Sequence, residues 1–285
     1  SVLSFTKLSG AGNDFILIDE RDNPGIKLEV SDISNICERR LSVGADGVLI
    51  IKDSDEFDFL MEYYNADGFM GSLCGNGARC AIKYALLSGR IKNGSTDFMV
   101  NSTHYKGEIM EDNMIKFYLP VPQKTKTDFR IKAGNQLIKS SFADTGSPHV
   151  VIIITDVQKD PKNSREVYND IDNFPVLELG KEIRYSNDFE PDGTNVNFIK
   201  IEKNDIHIRT YERGVENETL ACGTGSVASA IIGFKKEMVK PPVNLITRGK
   251  NNLIVDFEII NSRFNNISLT GPAEVTFKGE LILNK

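Results

Sequence analysis

Cys74-Gly75-Asn76-Gly77, leading into a helical pattern over residues 78–87, and Cys222-Gly223-Thr224-Gly225, leading into one over 226–234, decide the fold. Each places a cysteine and two glycines ahead of an apolar helical run. The two blocks lie 148 positions apart, and that shift aligns residues 44–86 with 192–234 without a gap. Identical pairs are Val48/Val196, Ile51/Ile199, Lys52/Lys200, Tyr63/Tyr211, Cys74/Cys222, Gly75/Gly223 and Gly77/Gly225. Such identity is low, but three of the pairs fall in one Cys-Gly-x-Gly block ahead of a helix. The pattern predicts a duplicated domain.

Outward from these blocks the two halves read alike. In the first, Phe15-Ile16-Leu17-Ile18 is a strand after the turn-like Ser9-Gly10-Ala11-Gly12-Asn13-Asp14, and Val48 opens another after Gly44-Ala45-Asp46-Gly47. Between them Ser31-Asp32-Ile33-Ser34-Asn35-Ile36-Cys37-Glu38 reads as a capped helix, with Ser31 and Ser34 as candidate starts. A strand over 57–64 precedes Asn65-Ala66-Asp67-Gly68, and short strands fill 97–119. In the second half strands are expected over 150–154, 196–201 and 206–211, a helix over 175–183, and further strands between 245 and 283. Pro120 and Pro122 mark the expected boundary. The N-terminal domain is 1–119, with a last strand in 272–285 returning to it, and the C-terminal domain is 120–271.

Composition narrows the function. With 285 residues, 40% hydrophobic and 26% charged, the chain is an ordinary globular protein, not a collagen-like, disordered or disulfide-scaffold one. Thirty-four basic against 40 acidic residues, without a basic run, offer a nucleic acid no electrostatic footprint. The apolar stretch 150–154 is too short to span a bilayer, so no membrane partner is expected. Ser1-Val2-Leu3-Ser4-Phe5 lacks the regions of a signal peptide. Cysteines at 37, 74, 80 and 222 form no disulfide framework, and the cytoplasm is the expected compartment.

A cysteine just before a glycine-rich helix start lies where unpaired N–H groups and the positive dipole end point outward. That setting lowers a thiol pKa and makes the sulfur a usable acid or base. The same N–H groups can hold a carboxylate, and glycines allow close approach. Two such units facing each other could take a proton from one side of a carbon and deliver one to the other. Stereoinversion at an α-carbon suits them best. Cys37 and Cys80 read as small buried apolar residues, and Cys80 has Ala228 as its counterpart. No Cys/His spacing points to zinc or another metal. A Cys74–Cys222 disulfide is unattractive in a reducing compartment. Gly223-x-Gly225-x-x-Ala228 matches a dinucleotide fingerprint, but nothing acidic lies between Glu237 and Asp256. His104 and His207 have no motif around them.

Cys74-Gly75-Asn76-Gly77-Ala78-Arg79-Cys80 and Glu212-Arg213-Gly214 through Ala221-Cys222-Gly223-Thr224-Gly225 resemble the two signature segments of the diaminopimelate epimerase family. Gly12-Asn13-Asp14-Phe15, Gly44-Ala45-Asp46-Gly47, Asn65-Ala66-Asp67-Gly68, Pro148-His149 and Gly193-Thr194-Asn195-Val196-Asn197-Phe198 follow in that family's order. The resemblance implies an α/β (α+β) fold of two similar, pseudo-symmetric domains. Each would be a β-rich, barrel-like layer around a central helix, with the site in the interdomain cleft. It implies a cofactor-independent epimerase interconverting LL- and meso-2,6-diaminopimelate for lysine and peptidoglycan synthesis, and makes a homodimer plausible.

By matching position, Cys74 and Cys222 would be the acid/bases, with His149 and Glu212 as neighbours that assist proton traffic or hold the reacting ammonium. Gly75, Asn76, Gly223 and Thr224 would face the reacting carboxylate, and Asn13, Asn65, Asn195 and Arg213 would fix the rest of the substrate. Ser147 stands where the family commonly has asparagine. Read without the resemblance, Asn13 and Asn65 are turn residues, His149 a structural histidine and Glu212-Arg213 an exposed ion pair. Three other readings stay open: a proline racemase-like or phenazine-pathway isomerase, a nucleotide-dependent oxidoreductase, and a non-catalytic small-molecule binding protein.

Overall fold

Two strands open the chain because residues 2–19 bury alternate and then successive apolar side chains on either side of a tight turn. They are β1 (Val2–Gly10) and β2 (Asn13–Asp19), antiparallel, with Gly10 opposite Asn13 and the turn made by Ala11 and Gly12 at positive φ. This computed structural model describes residues 2–71 and 74–283. Residues 1, 284 and 285, the outermost of the expected N-terminal domain and its returning strand, lie outside the described residues.

Helix α1 (Val30–Cys37) buries Ile33, Ile36 and Cys37 and carries the chain across to β3 (Gly47–Lys52), parallel to β2. Its start corrects the expectation of Ser31 or Ser34: the N-cap is Glu29. The Glu29 carboxylate accepts the backbone N–H of Asp32, while the Asp32 carboxylate accepts the Glu29 N–H at 3.0 Å. That reciprocal capping box satisfies two end donors at once, so both serines fall inside the helix. Strand β4 (Phe59–Asn65) returns antiparallel to β3 and precedes α2 (Gly75–Leu87). Then β5 (Ser95–Val100), β6 (Thr103–Ile109) and β7 (Ile115–Tyr118) form a meander, β5 lying parallel to β4.

The hairpin of β8 (Lys124–Ala133) and β9 (Gln136–Asp144) was not legible in the sequence, because β8 alternates exposed and half-buried positions with few apolar residues. After it come β10 (Pro148–Ile153), a small hairpin of β11 (Gln158–Asp160) and β12 (Asn163–Val167), and α3 (Val176–Arg184). Strand β13 (Asn195–Glu202) lies parallel to β10, and β14 (Asp205–Glu212) returns antiparallel to it. Next are β15 (Asn217–Thr219), α4 (Gly223–Lys235), β16 (Val243–Ile246), β17 (Asn252–Ile260), β18 (Arg263–Gly271) and β19 (Glu274–Ile282). Strand β16 is parallel to β14, and β19 pairs antiparallel with β1, Val2 opposite Ile282.

The chain divides into two compact units, Ser1–Tyr118 with Thr270–Lys285, and Leu119–Leu269. Each runs through the same sequence of events: an antiparallel pair, a helical crossover to a parallel strand, an antiparallel return, and a buried helix. Helices α2 and α4 are both 13 residues long and keep the 148-residue offset at both ends. Helix α4 is buried from Gly223 to Gly233, as an all-round apolar helix must be. It packs on β9, β10, β13, β14 and β17, while α2 packs on β1, β2, β3, β7 and β19. The architecture is therefore sheet-rich α+β, with one central helix per unit. Among the described residues no helix is long and apolar enough to cross a membrane.

Candidate active site

Helix α2 starts at Gly75, three residues before the expected 78, because Cys74 caps it. The Ala78 N–H reaches the Cys74 carbonyl at 2.8 Å, and the Gly77 N–H donates to Cys74 Sγ at 3.4 Å. The sulfur thus accepts a backbone donor at the positive end of a helix, and both effects favour thiolate. The other two thiols are unlike it. Burial pushes Cys37 and Cys80 up to about 12, which removes them from acid/base work near neutrality.

Next to Cys74, Asn76 is buried in a chain of side chains. Its Nδ2 donates to Asn13 Oδ1, and Asn13 Nδ2 donates to Asp46 Oδ2 at 3.0 Å. At the other end Arg79 Nη2 donates to Asn76 Oδ1 at 2.8 Å. A guanidinium can only donate and a carboxylate only accept, so the two charged ends set the direction of both amides. Arg79 is fully buried, and its other described partners are the carbonyls of Gly75 and Pro272. Burial lowers its pKa to about 10, which leaves it charged at neutral pH. Asn65, at the end of β4, accepts from Tyr63 Oη at 2.9 Å and closes a turn with Gly68.

In the second unit Cys222 caps α4, and Ser226 donates both its N–H and its hydroxyl to the Cys222 carbonyl at 2.9 Å. Cys222 Sγ lies 3.7 Å from Thr224 Oγ1, which lies 2.9 Å from His149 Nε2. On the far side of the ring, Asn197 Nδ2 is 3.1 Å from His149 Nδ1. Thr145 Oγ1 donates to the Thr224 carbonyl at 3.0 Å.

His149 is fully buried, and its pKa is lowered to about 3 by desolvation, reinforced by the positive charge of Arg213. The ring is therefore neutral at working pH. Because its folded pKa lies below the unfolded value of 6.5, the unfolded chain binds the extra proton first. Stability from this site is complete above pH 6.5 and is lost as pH falls toward 3, by up to about 1.4 kcal/mol per pH unit. Urea midpoints at pH 7.5 and 4.5 should therefore drop less in His149→Gln than in the unaltered chain. Equal drops would show that His149 titrates normally.

Asn195, at the start of β13, ties three segments together. Its Nδ2 donates to Ser147 Oγ and to the Pro148 carbonyl, both at 2.9 Å, and its Oδ1 accepts the Arg213 N–H at 2.8 Å. Ser147 is thereby engaged by a neighbouring amide. Parallel pairing sets His149 beside Asn195 as it sets Phe15 beside Gly47, so Ser147 is the counterpart of Asn13. Glu212 is the last residue of β14, next to Arg213, whose Nη1 donates to the Asp192 carbonyl at 3.3 Å. His104 and His207 lie on strand faces beside Asp97 and Glu202.

The structure therefore gathers Cys74, Gly75, Asn76 and Asn13 at the start of α2. It gathers Cys222, Gly223, Thr224 and His149 at the start of α4, and Ser147, Asn195 and Arg213 at the start of β13. Sequence reasoning assigned nothing to Arg79, Asp46, Thr145 or Asn197. Asn197 carried a signal all the same, as an amide set between the apolar Val196 and Phe198 of a strand. Among the described residues no group of three or more His, Cys, Asp and Glu side chains is placed to hold a metal ion.

A sequence profile described as diaminopimelate epimerase matches residues 5–124 and 141–275. The chain is 37% identical over 292 residues to the diaminopimelate epimerase of Aquifex aeolicus (strain VF5), covering 98% of each chain. It is 37% identical over 279 residues to that of Chlorobaculum tepidum, covering 97% of this chain and all of the relative. Among solved structures it superposes on a Bacillus anthracis phenazine biosynthesis protein of the PhzF family with a TM-score of 0.72 at 14% identity, covering 99% of this chain and 100% of the other. A hydroxyproline epimerase of Agrobacterium vitis superposes with a TM-score of 0.69 at 15% identity, covering 100% and 93%. Likeness at that identity establishes a shared fold.

Proposed function

The chain belongs to the diaminopimelate epimerase family, isomerases acting on amino acids, and on that premise we propose that it interconverts LL- and meso-2,6-diaminopimelate in lysine and peptidoglycan precursor synthesis. Cys74 and Cys222 are the two bases of the reaction. One, as thiolate, takes the α-proton from one face of the carbon, and the other, as thiol, delivers its proton to the opposite face. The electron pair left by the broken C–H bond spreads into the substrate carboxylate, where the helix-start N–H groups around Gly75, Asn76, Gly223 and Thr224 stabilise it. The reaction so written needs only two thiols and fixed donors. The observation that carries this reading is that both cysteines cap buried helices of equal length at matching positions.

Asn13, Asn65, Asn195 and Arg213 are assigned to the distal amino-acid head, with Ser147 at the edge of that set. His149 and Glu212 are assigned to the surroundings of the reacting centre. Purified chain without additives should convert LL-diaminopimelate to the meso isomer and leave L-proline and trans-4-hydroxy-L-proline unchanged. Turnover of the prolines instead would replace this reading by the racemase one, and a requirement for added nucleotide would replace it by an oxidoreductase.

The distal carboxylate tests the assignment of Arg213. A planar guanidinium fork binds a carboxylate through two hydrogen bonds, and lysine keeps the charge but loses the fork. Arg213→Lys should lower kcat/KM by about 10- to 100-fold, mostly through KM. Steady-state kinetics that match the unaltered chain would remove Arg213 from the recognition set.

A further inference from the structure

The amide of Asn197 has one permitted orientation. Its Nδ2 donates to the Val150 carbonyl at 3.0 Å, and its Oδ1 accepts from Thr210 Oγ1 at 2.9 Å. A flipped amide would set oxygen against the Val150 carbonyl. The second hydrogen on Nδ2 therefore points to His149 Nδ1, 3.1 Å away, and Nδ1 must be the unprotonated, accepting nitrogen. A neutral imidazole carries one proton, so that proton is on Nε2 and goes to Thr224 Oγ1 at 2.9 Å. With its oxygen accepting there, Thr224 keeps its hydroxyl proton available to donate, and Cys222 Sγ lies 3.7 Å from it. His149, Asn197 and Thr210 are all buried, so water does not offer competing partners.

We infer that Asn197 is a positioning residue for the Cys222 sulfur: it locks His149 in the Nε2–H tautomer, which leaves the Thr224 hydroxyl proton for Cys222 Sγ. The donated hydrogen bond favours thiolate over thiol at that sulfur. The catalytic meaning of the lock rests on the reading of Cys222 as one of the two bases, but the lock itself does not.

Two measurements that need no turnover test it. The unaltered protein, labelled with 15N at its three histidines, should give a proton–nitrogen correlation spectrum in which His149 carries its proton on Nε2 alone. In Asn197→Asp the carboxylate can only accept, so the proton should move to Nδ1, Nε2 should take the Thr224 proton, and iodoacetamide should alkylate Cys222 about tenfold more slowly at pH 7. Peptide mapping assigns the alkylated cysteine. Should Asn197→Asp fail to fold, Thr224→Val keeps the side-chain shape, removes the hydroxyl and should slow alkylation by the same factor, while Thr224→Ser should restore it. A proton on Nδ1 of His149 in the unaltered protein, or unchanged alkylation of Cys222 in Thr224→Val, overturns the inference. A chain that meets both expectations yet does not epimerise diaminopimelate keeps the lock and sinks the proposed reaction.

Discussion

Alanine in place of Cys222 should lower conversion of LL-diaminopimelate by about 10⁴-fold, and the reverse reaction equally, with Cys74→Ala doing the same. Each direction needs one base and one acid, so removing either sulfur leaves a step without its proton carrier. The fold should survive, since a cysteine-to-alanine change at a helix cap removes one sulfur and leaves the carbonyls that open both helices. A thiol carries a single transferable proton, which gives the intact enzyme an isotopic signature. In deuterated water, early product should carry deuterium at the inverted carbon while recovered substrate stays protiated. Proton NMR of both pools reads this directly. Equal early deuterium in substrate and product would indicate one polyprotic base, and full activity in Cys222→Ala would end the two-thiol reading.

Gly225→Ala should be strongly damaging to the second unit. A Cβ at 225 would sit 2.3 Å from Asn197 Oδ1 and 3.2 Å from Cys222 Sγ. Asn197 cannot retreat, because its amide is fixed by Val150, Thr210 and His149. The helix start must move instead, and the expected result is a loss of about 3 kcal/mol in stability together with more than 100-fold in activity. The matching position in the first unit should behave differently. A Cβ at Gly77 meets Leu49 Cδ2 at 3.2 Å, the far end of a flexible side chain, and Phe15 at 3.5 Å. The gain of alanine over glycine in a helix, about 1 kcal/mol, offsets that crowding, so Gly77→Ala should stay within about 1 kcal/mol of the unaltered chain. Urea denaturation of both variants provides the comparison. Equal penalties at 77 and 225 would refute the account of Asn197 as a fixed neighbour.

Much of the fold was legible because it is written in local pattern. The 148-residue offset that matched two Cys-Gly-x-Gly blocks reappears as two central helices of the same length. The strand after Val48 and the strand containing Val196 were visible as apolar runs bounded by glycine turns. The helix starts were less legible. Glycines at 75, 77, 223 and 225 read as loop by propensity, yet the helices begin there, because burial of the whole first turn outweighs the entropic cost of glycine. At α1 a glutamate cap outcompeted two serines, since the reciprocal bond to Asp32 satisfies two donors at once.

The motifs of this chain resemble those of the diaminopimelate epimerase family, and residue types, their spacing and their order by themselves predict a duplicated, sheet-rich protein with a thiol ahead of each central helix. Those are properties of neighbours along the chain, and periodicity records them. Only the tertiary structure decides that Gly225 is tight where Gly77 is loose, that His149 is neutral, and that the amides of Asn76, Asn13 and Asn197 each point one way. Hydrogen-bond direction and desolvation depend on which groups meet in space. Asn13 meets Asn76, and His149 meets both Asn197 and Thr224, across sequence separations of 48 or more. No local pattern in a single sequence encodes those meetings, whereas the packed interior fixes every partner at once.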